Sequence, residues 1–404
     1  MATPTGIRDS AESPHYDPFS FYDNPYPVYA QLRSEAPLYH NEERNLWVVT
    51  RFDDVQTISR EWKTYSSGEG VVLDDESEFY APGGFVDQDP PSHDRLRAVM
   101  APYFAPRVIK QLEVDVRSKT RELLAPFVEQ GQIDLAMAIA RPLPAVVVCM
   151  LFGFPAEDHD LLSSWFGSML ERIPGQIDAP ASAWEANAAM REYFAEAARI
   201  RDREPKDDLL TVLNAAHREG TITHDELVGL GIFMFYSGII TTAGLISNSF
   251  LNFLEFPDQR AGVARDTSVI QQAIEELLRF DAPIQSLSRV TLADSTLHDT
   301  VVPEGSRVLL VWGSANRDES RWPHADRLDI FRERKRHLAF GEGIHYCIGA
   351  PLARLEAAVV FEEVLAVMPE YELCGPVKRI YTPHERGIES LPVAFEPSSG
   401  SRAS

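Results

Sequence analysis

One stretch limits the fold more than any other. Residues 227–254 read LVGLGIFMFYSGIITTAGLISNSFLNFL and carry no charge. About 20 apolar residues suffice to cross a bilayer, so the segment is either a membrane span or the axis of a large core. Ser237, Thr241, Thr242, Ser247, Asn248 and Asn252 interrupt it and argue against insertion in a membrane. A helix apolar almost all round is what the centre of a big soluble fold demands. Thr223 with Glu226 writes a capping box at its start. The chain has 404 residues, 44% of them hydrophobic, enough to surround such an axis with a core.

Apolar residues at three- and four-residue spacing predict further helices over 93–104, 107–129, 135–152, 187–202, 207–217, 268–280 and 349–368. Strand patterns are short and lie toward the two ends: LWVVT (46–50), SRVTLA (288–293), SRVLLVW (306–312) and LPVAFE (391–396). The expected fold is mainly α with a small β-sheet portion, in a single large domain and without the alternation of a doubly wound fold. A net charge of −23 argues against nucleic acid or an anionic membrane as partner. Three scattered cysteines, Cys149, Cys347 and Cys374, give no disulfide framework and suit a reducing cytoplasm. The first residues lack a signal-peptide pattern, and the tail EPSSGSRAS is expected to be disordered.

Residues 340–349, FGEGIHYCIG, single out one cysteine. Phe340, Gly341, Gly343 and Gly349 surround Cys347, and a strong helical pattern follows. A thiol at a helix entrance meets outward-pointing N–H groups and the positive end of the helix dipole, which favour thiolate. Glycines let a flat ligand approach the sulfur. Cys149, in VVVCMLFGF, reads instead as a small buried hydrophobe. A zinc site would need paired thiols or histidines, and there is no CxxC. A catalytic nucleophile would need a general base, a role that spacing leaves open to His345.

The loop FGEGIHYCIGAPLARLE resembles the cysteine-ligand loop of the cytochromes P450, and the resemblance runs from about residue 17 to residue 395. Its glycine-bracketed cysteine is a highly specific motif. It implies one haem-thiolate monooxygenase domain over 17–395, with tails 1–16 and 396–404. It implies haem b as cofactor, with Cys347 as the axial thiolate ligand of its iron, which favours O–O cleavage. Glu276 and Arg279, at i and i+3, would pair and join Arg327 in a structural lock before the cysteine loop. His93 and Arg97, in DPPSHDRLR, share one helix face and would bind a haem propionate with Arg289 and His345. The plain alternative for His93 and Arg97 is a solvated helix face.

By the same resemblance the central helix crosses the cavity opposite the cysteine. The family usually reads Ala/Gly-Gly-x-Asp/Glu-Thr-Thr there. Here Ser237 takes the small position, Gly238 the glycine, Ile240 the acidic position and Thr241 the threonine, followed by Thr242. Gly238 would let oxygen approach the backbone, and the Thr241 hydroxyl would open the helical ladder and hold water. Dioxygen cleavage consumes two protons, and Ile240 carries none. Three readings follow: Thr241 and water suffice, the substrate orders the water, or the protein uses peroxide or radical coupling instead.

The resemblance also implies a small organic substrate, dioxygen, and electrons from a separate ferredoxin and its NAD(P)H-dependent reductase, because the chain has no flavin or iron–sulfur motif. Arg332, Arg334, Lys335 and Arg336 form a basic run suited to an acidic ferredoxin. The expected pocket comprises Val71, Val72, Ser237, Ile284, Leu287 and Ile388, and the expected state is a soluble monomer. GSANRDESRW and RGIESLP look most like bacterial members that oxidise small aromatic compounds. The loop YSSGEGVVLDDESEF has no Lys or Arg, so a neutral aromatic, terpenoid or steroid fits better than a carboxylate. A haem protein that only binds a gas or small ligand is the rival from another class.

Overall fold

The structure, a computed structural model, describes residues 15–20, 23–74, 76–173 and 176–397. Most of both expected tails lies outside the described residues. Tyr16, placed in the N-terminal tail by sequence, is 1% exposed and packs edge-on against Tyr29, so the folded body begins before residue 17.

The uncharged stretch forms one helix, His224–Glu255. Thr223 Oγ1 accepts from the Glu226 N–H and the Glu226 carboxylate accepts from the Thr223 N–H, completing the capping box. The fold buries 83% of its most apolar stretch. Helices Pro142–Phe152, Ala181–Arg203 and Ala350–Val367 pack around it. Phe361 contributes an aromatic ring set edge-on to both Phe250 and Phe253, with centroids 5.6 Å apart in each case.

Five short strands form the main sheet in the order Leu38–Asn41, Leu46–Val49, Arg307–Leu310, Leu287–Thr291, Tyr65–Ser66. Leu46–Val49 and Arg307–Leu310 are parallel, and the other pairs are antiparallel. A parallel pair needs a crossover, and here the whole helical middle of the chain supplies it. That is why strand patterns gather toward the ends of the sequence. LPVAFE contracts to Pro392–Ala394, which pairs with Gln132–Asp134 and Glu372–Leu373 in a separate small sheet.

Helices Tyr26–Glu35, Phe52–Arg60, His159–Met169 and Pro257–Arg265 were not anticipated from sequence. Each is short, and short helices are held by tertiary packing more than by their own pattern. The helix expected over 135–152 divides into a π-helical turn, Ala136–Ala140, and Pro142–Phe152. Pro142 has no N–H to continue the ladder.

The expected lock before the cysteine loop exists with one change of member. Glu276 and Arg279 pair at 2.7 Å, 5% and 2% exposed. Arg279 also donates to the carbonyls of Asn316, Ala325 and Arg327. The second guanidinium on Glu276 belongs to Arg332, at 3.0 Å, and not to Arg327. Arg327 is exposed and contributes only its carbonyl. The Glu276 carboxylate further accepts from the Asp329 N–H. Arg332 is thereby withdrawn from the basic run assigned to it by sequence.

Replacing one member of a buried ion pair strands its partners. Glu276→Gln should lower unfolding stability by about 3 kcal/mol or more, read from the urea midpoint by circular dichroism. A midpoint equal to the parent's would refute the assignment.

Candidate active site

Cys347 ends a loop shaped by backbone geometry. Gly341 and Gly343 adopt φ of 70° and 68°, which L side chains rarely take. The Cys347 N–H donates to the Phe340 carbonyl at 2.8 Å. Gly349 caps the helix Ala350–Val367 at an ordinary φ of −80°. Its role is spatial: a Cβ there would stand 3.9 Å from Sγ, on the face that lines the cavity. The N–H groups of Gly349 and Ala350 are aimed at the sulfur and lower the thiol's pKa, as do Arg97 and Arg354. Burial outweighs them and pushes the free thiol up.

The sulfur faces a cavity with about 1540 Å³ of space free of protein atoms, its mouth included. The central helix lines the same cavity, contributing Ser237, Gly238, Ile240, Thr241 and Thr242. Val71, Val72, Ile284 and Leu287 line it as expected. The Ser288 N–H fixes Val71 by donating to its carbonyl at 2.6 Å. Ile388 does not line it: it is 1% exposed within the main core, on a strand paired with Arg379. The C-terminal turn reaches the cavity through His384 and Glu385 instead. Sequence reasoning also missed the aromatic walls Tyr80, Phe85, Phe233 and Tyr236. Phe233 and Tyr236 stand in the expected helix, but nothing in the sequence says which side of an all-apolar helix faces a void.

The helix residues differ in detail from expectation. The helix is continuous through residue 241, so its ladder is not opened. Ser237 Oγ donates to the Phe233 carbonyl and Thr241 Oγ1 to the Ser237 carbonyl, both at 2.7 Å. A Cβ on Gly238 would come within 2.9 Å of Val148 Cγ2, so this glycine permits close helix packing. Ile240, 5% exposed, puts an alkyl group on the cavity wall.

Four donor side chains gather where Arg97, Arg289 and His345 line the cavity and His93 packs against His345. Arg289, 2% exposed, donates to the Ser288 carbonyl and forms no ion pair among the described residues. Burial pulls its pKa down to about 10 against the raising influence of Asp87 and Asp89. Arg97 donates to the Tyr346 carbonyl at 2.7 Å and likewise forms no ion pair among the described residues. His93 and His345 stack edge to face with centroids 4.7 Å apart. His345 Nε2 lies 3.2 Å from Ser67 Oγ, and His93 Nδ1 lies 2.8 Å from Asp94 Oδ1. The remaining ring nitrogens, His345 Nδ1 and His93 Nε2, are buried and have no partner among the described residues. Burial, then the charges of Arg289, His93 and Arg97, push the His345 pKa down to about 2.

Unpaired buried cations are costly in any protein, and an acidic chain has carboxylates to spare. That these donors stay unmatched fits an anion brought by a ligand whose body fills the space above the sulfur. Such a holder, for a flat group with acidic arms over a cysteine, is that of a haem-thiolate protein. The model of the family described as Cytochrome P450 matches residues 178–367. Putative cytochrome P450 123 of Mycobacterium tuberculosis is 35% identical, over 94% of this chain and 96% of its own. Vitamin D(3) 25-hydroxylase of Pseudonocardia autotrophica is 35% identical over 95% and 97%. The crystal structure of CYP109E1 from Bacillus megaterium with testosterone superposes with a TM-score of 0.85 at 28% identity, covering 94% of this chain and 100% of that one. The chain belongs to the cytochrome P450 family of monooxygenases, whose cofactor is haem.

One buried group nearby has no evident partner. Glu356, on the cysteine helix, is 0% exposed, and neither carboxyl oxygen has a hydrogen bond among the described residues. Desolvation raises its pKa well above the ordinary 4.5, so the fold holds it as a neutral acid. A folded pKa above the unfolded one stabilises fully below pH 4.5, and that stabilisation is lost as pH rises. Glu356→Gln never ionises. The Gln variant should gain stability relative to the parent progressively from pH 5 to pH 8, measured by urea midpoints. A difference constant with pH would contradict a neutral Glu356.

Proposed function

We propose that the chain inserts one oxygen atom of dioxygen into a neutral, small to medium apolar substrate, by hydroxylation or oxidative dealkylation. The observation that carries this reading is the division of the cavity. Its cations, Arg97 and Arg289, cluster with His345, its lining carboxylate, Glu385, lies on the C-terminal turn, and the stretches of wall from the central helix and from residues 71–72 and 284–287 are chiefly alkyl and aromatic. A charged substrate would find no partner of opposite sign on that wall's alkyl and aromatic groups.

Haem, when bound, supplies the dioxygen activation. Cys347 would hold its iron, with Phe340, Gly341 and Gly349 shaping the loop around the sulfur. His93, Arg97, Arg289 and His345 would hold its propionates. Thr241 Oγ1, donating to Ser237, keeps lone pairs to accept from a water at the cavity face. Thr242, 3% exposed, lines the cavity with a hydroxyl able to donate. Ile240 excludes water from the place where the family's acid would stand. Protons would then arrive through water ordered by Thr241 and Thr242, or by a polar group on the substrate. Electrons would come from a separate ferredoxin and its NAD(P)H-dependent reductase, docking near Arg334 and Lys335. Those two line a surface cleft with Arg336, Arg354 and Glu275, and Arg336 also pairs with Glu342 at 3.0 Å. We read the protein as a cytoplasmic monomer.

Ile240 also favours a second reading, the use of peroxide in place of dioxygen and electrons. Product formation with ferredoxin, reductase and NAD(P)H, compared with peroxide alone, separates the two. The reduced protein under carbon monoxide should show a red-shifted Soret band that Cys347→Ala abolishes; the same band in the variant would sink the ligand assignment. Ile240→Asp should change the ratio of product formed to electrons consumed, and an unaltered ratio would refute the proton argument.

A further inference from the structure

Trp312 follows the strand Arg307–Leu310 and opens the short helix Trp312–Ala315. It is 6% exposed and lines the haem cavity. Its indole Nε1 is buried and has no acceptor among the described residues. A buried Trp N–H usually finds a partner, because leaving it unmade forfeits its hydration with nothing in return. The missing acceptor therefore arrives with whatever fills the cavity.

The position of the ring says which acceptor. A Cβ built on Gly341 would lie 3.5 Å from Trp312 Cη2 and 3.5 Å from the His345 carbonyl oxygen. The indole thus stands beside the loop that carries His345 and Cys347. In the sheet, Arg289 is paired with Val308 and Leu287 with Leu310, so Trp312 leaves the strand that neighbours Arg289. His345 in turn feels the charge of Arg289 directly. Trp312, His345 and Arg289 therefore belong to one region of the cavity.

Resting on the haem reading of the site, we propose that Trp312 Nε1–H donates a hydrogen bond to a haem carboxylate, as a fifth donor beside Arg289, His345, His93 and Arg97. It would act as a neutral donor in a region shared with the buried cation Arg289 and with His345, whose charged form burial disfavours. Two things follow. Trp312 orients the carboxylate without adding charge to the rim. Its ring also closes the cavity wall beside Gly341.

The test uses the haem-loaded protein. Trp312→Phe keeps an aromatic ring and removes the donor, and Trp312→His restores a ring N–H. Haem transfer to excess apomyoglobin, followed in the Soret region, should be roughly tenfold faster in Trp312→Phe, the change expected for one hydrogen bond to a charged acceptor. Trp312→His should recover part of that loss. The propionate-bending bands in resonance Raman spectra should shift in Trp312→Phe alone. Parent-like transfer and parent-like bands in Trp312→Phe overturn the proposal. So does equal acceleration in both variants, which would mean packing only, or a change confined to substrate affinity, which would give the N–H to the substrate. If the parent itself held no haem, the reading of the whole site would fail, a result distinct from any of these.

Discussion

The cysteine loop hangs from a carboxylate kept out of water. Glu276 faces two guanidinium groups, Arg279 and Arg332, and Arg279 carries the load onward to three carbonyls between residues 316 and 327. Those carbonyls belong to the irregular segment that leads from the sheet to Phe340. No regular ladder runs through it, so side-chain donors must satisfy its backbone. A buried ion pair adds little net stability compared with apolar packing, but it fixes geometry through directional bonds. That geometry sets where Cys347 points.

The same logic explains which parts of the molecule were legible in the sequence. The central helix, the glycines around Cys347 and the Glu276–Arg279 spacing are local patterns, and each appears where its pattern puts it. Local patterns also located His93 and Arg97 on one helix face. The partner of Glu276 was misread because Arg327 and Arg332 sit five residues apart in a segment with no periodicity. Either could reach inward, and only the three-dimensional path of the chain selects Arg332. Ile388 was misplaced for a related reason. The turn His384–Arg386 is fastened to Pro283 and Gln285 by backbone bonds, which brings His384 and Glu385 to the cavity and sends Ile388 past it. The effect of burial on the Cys347 thiol is likewise not a sequence property, because the helix entrance is visible in the sequence and the depth of the sulfur is not.

The missing acid of the central helix gains a physical setting from the structure. Ser237 and Thr241 both direct their protons to carbonyls one turn back, so the hydroxyls offer the cavity acceptors rather than donors. Thr242, adjacent and buried, is left as the hydroxyl without such an engagement. The carboxyl that does line the cavity, Glu385, comes from the C-terminal turn and not from the central helix.

The contact between Gly238 and Val148 bears on how the cavity changes size. With so little room between the two helices, neither can slide toward the other, and interior packing transmits any push as a rigid body. The wall formed by residues 71–74 and 76–89 is loop and short 3-10 turns, yet it too is pinned to the central helix, because a Cβ on Gly83 would strike the backbone of Gly229 and Leu230. The size of the cavity is therefore set where glycine brings the central helix against two neighbours, Val148 and Gly83, and neither contact has slack to give.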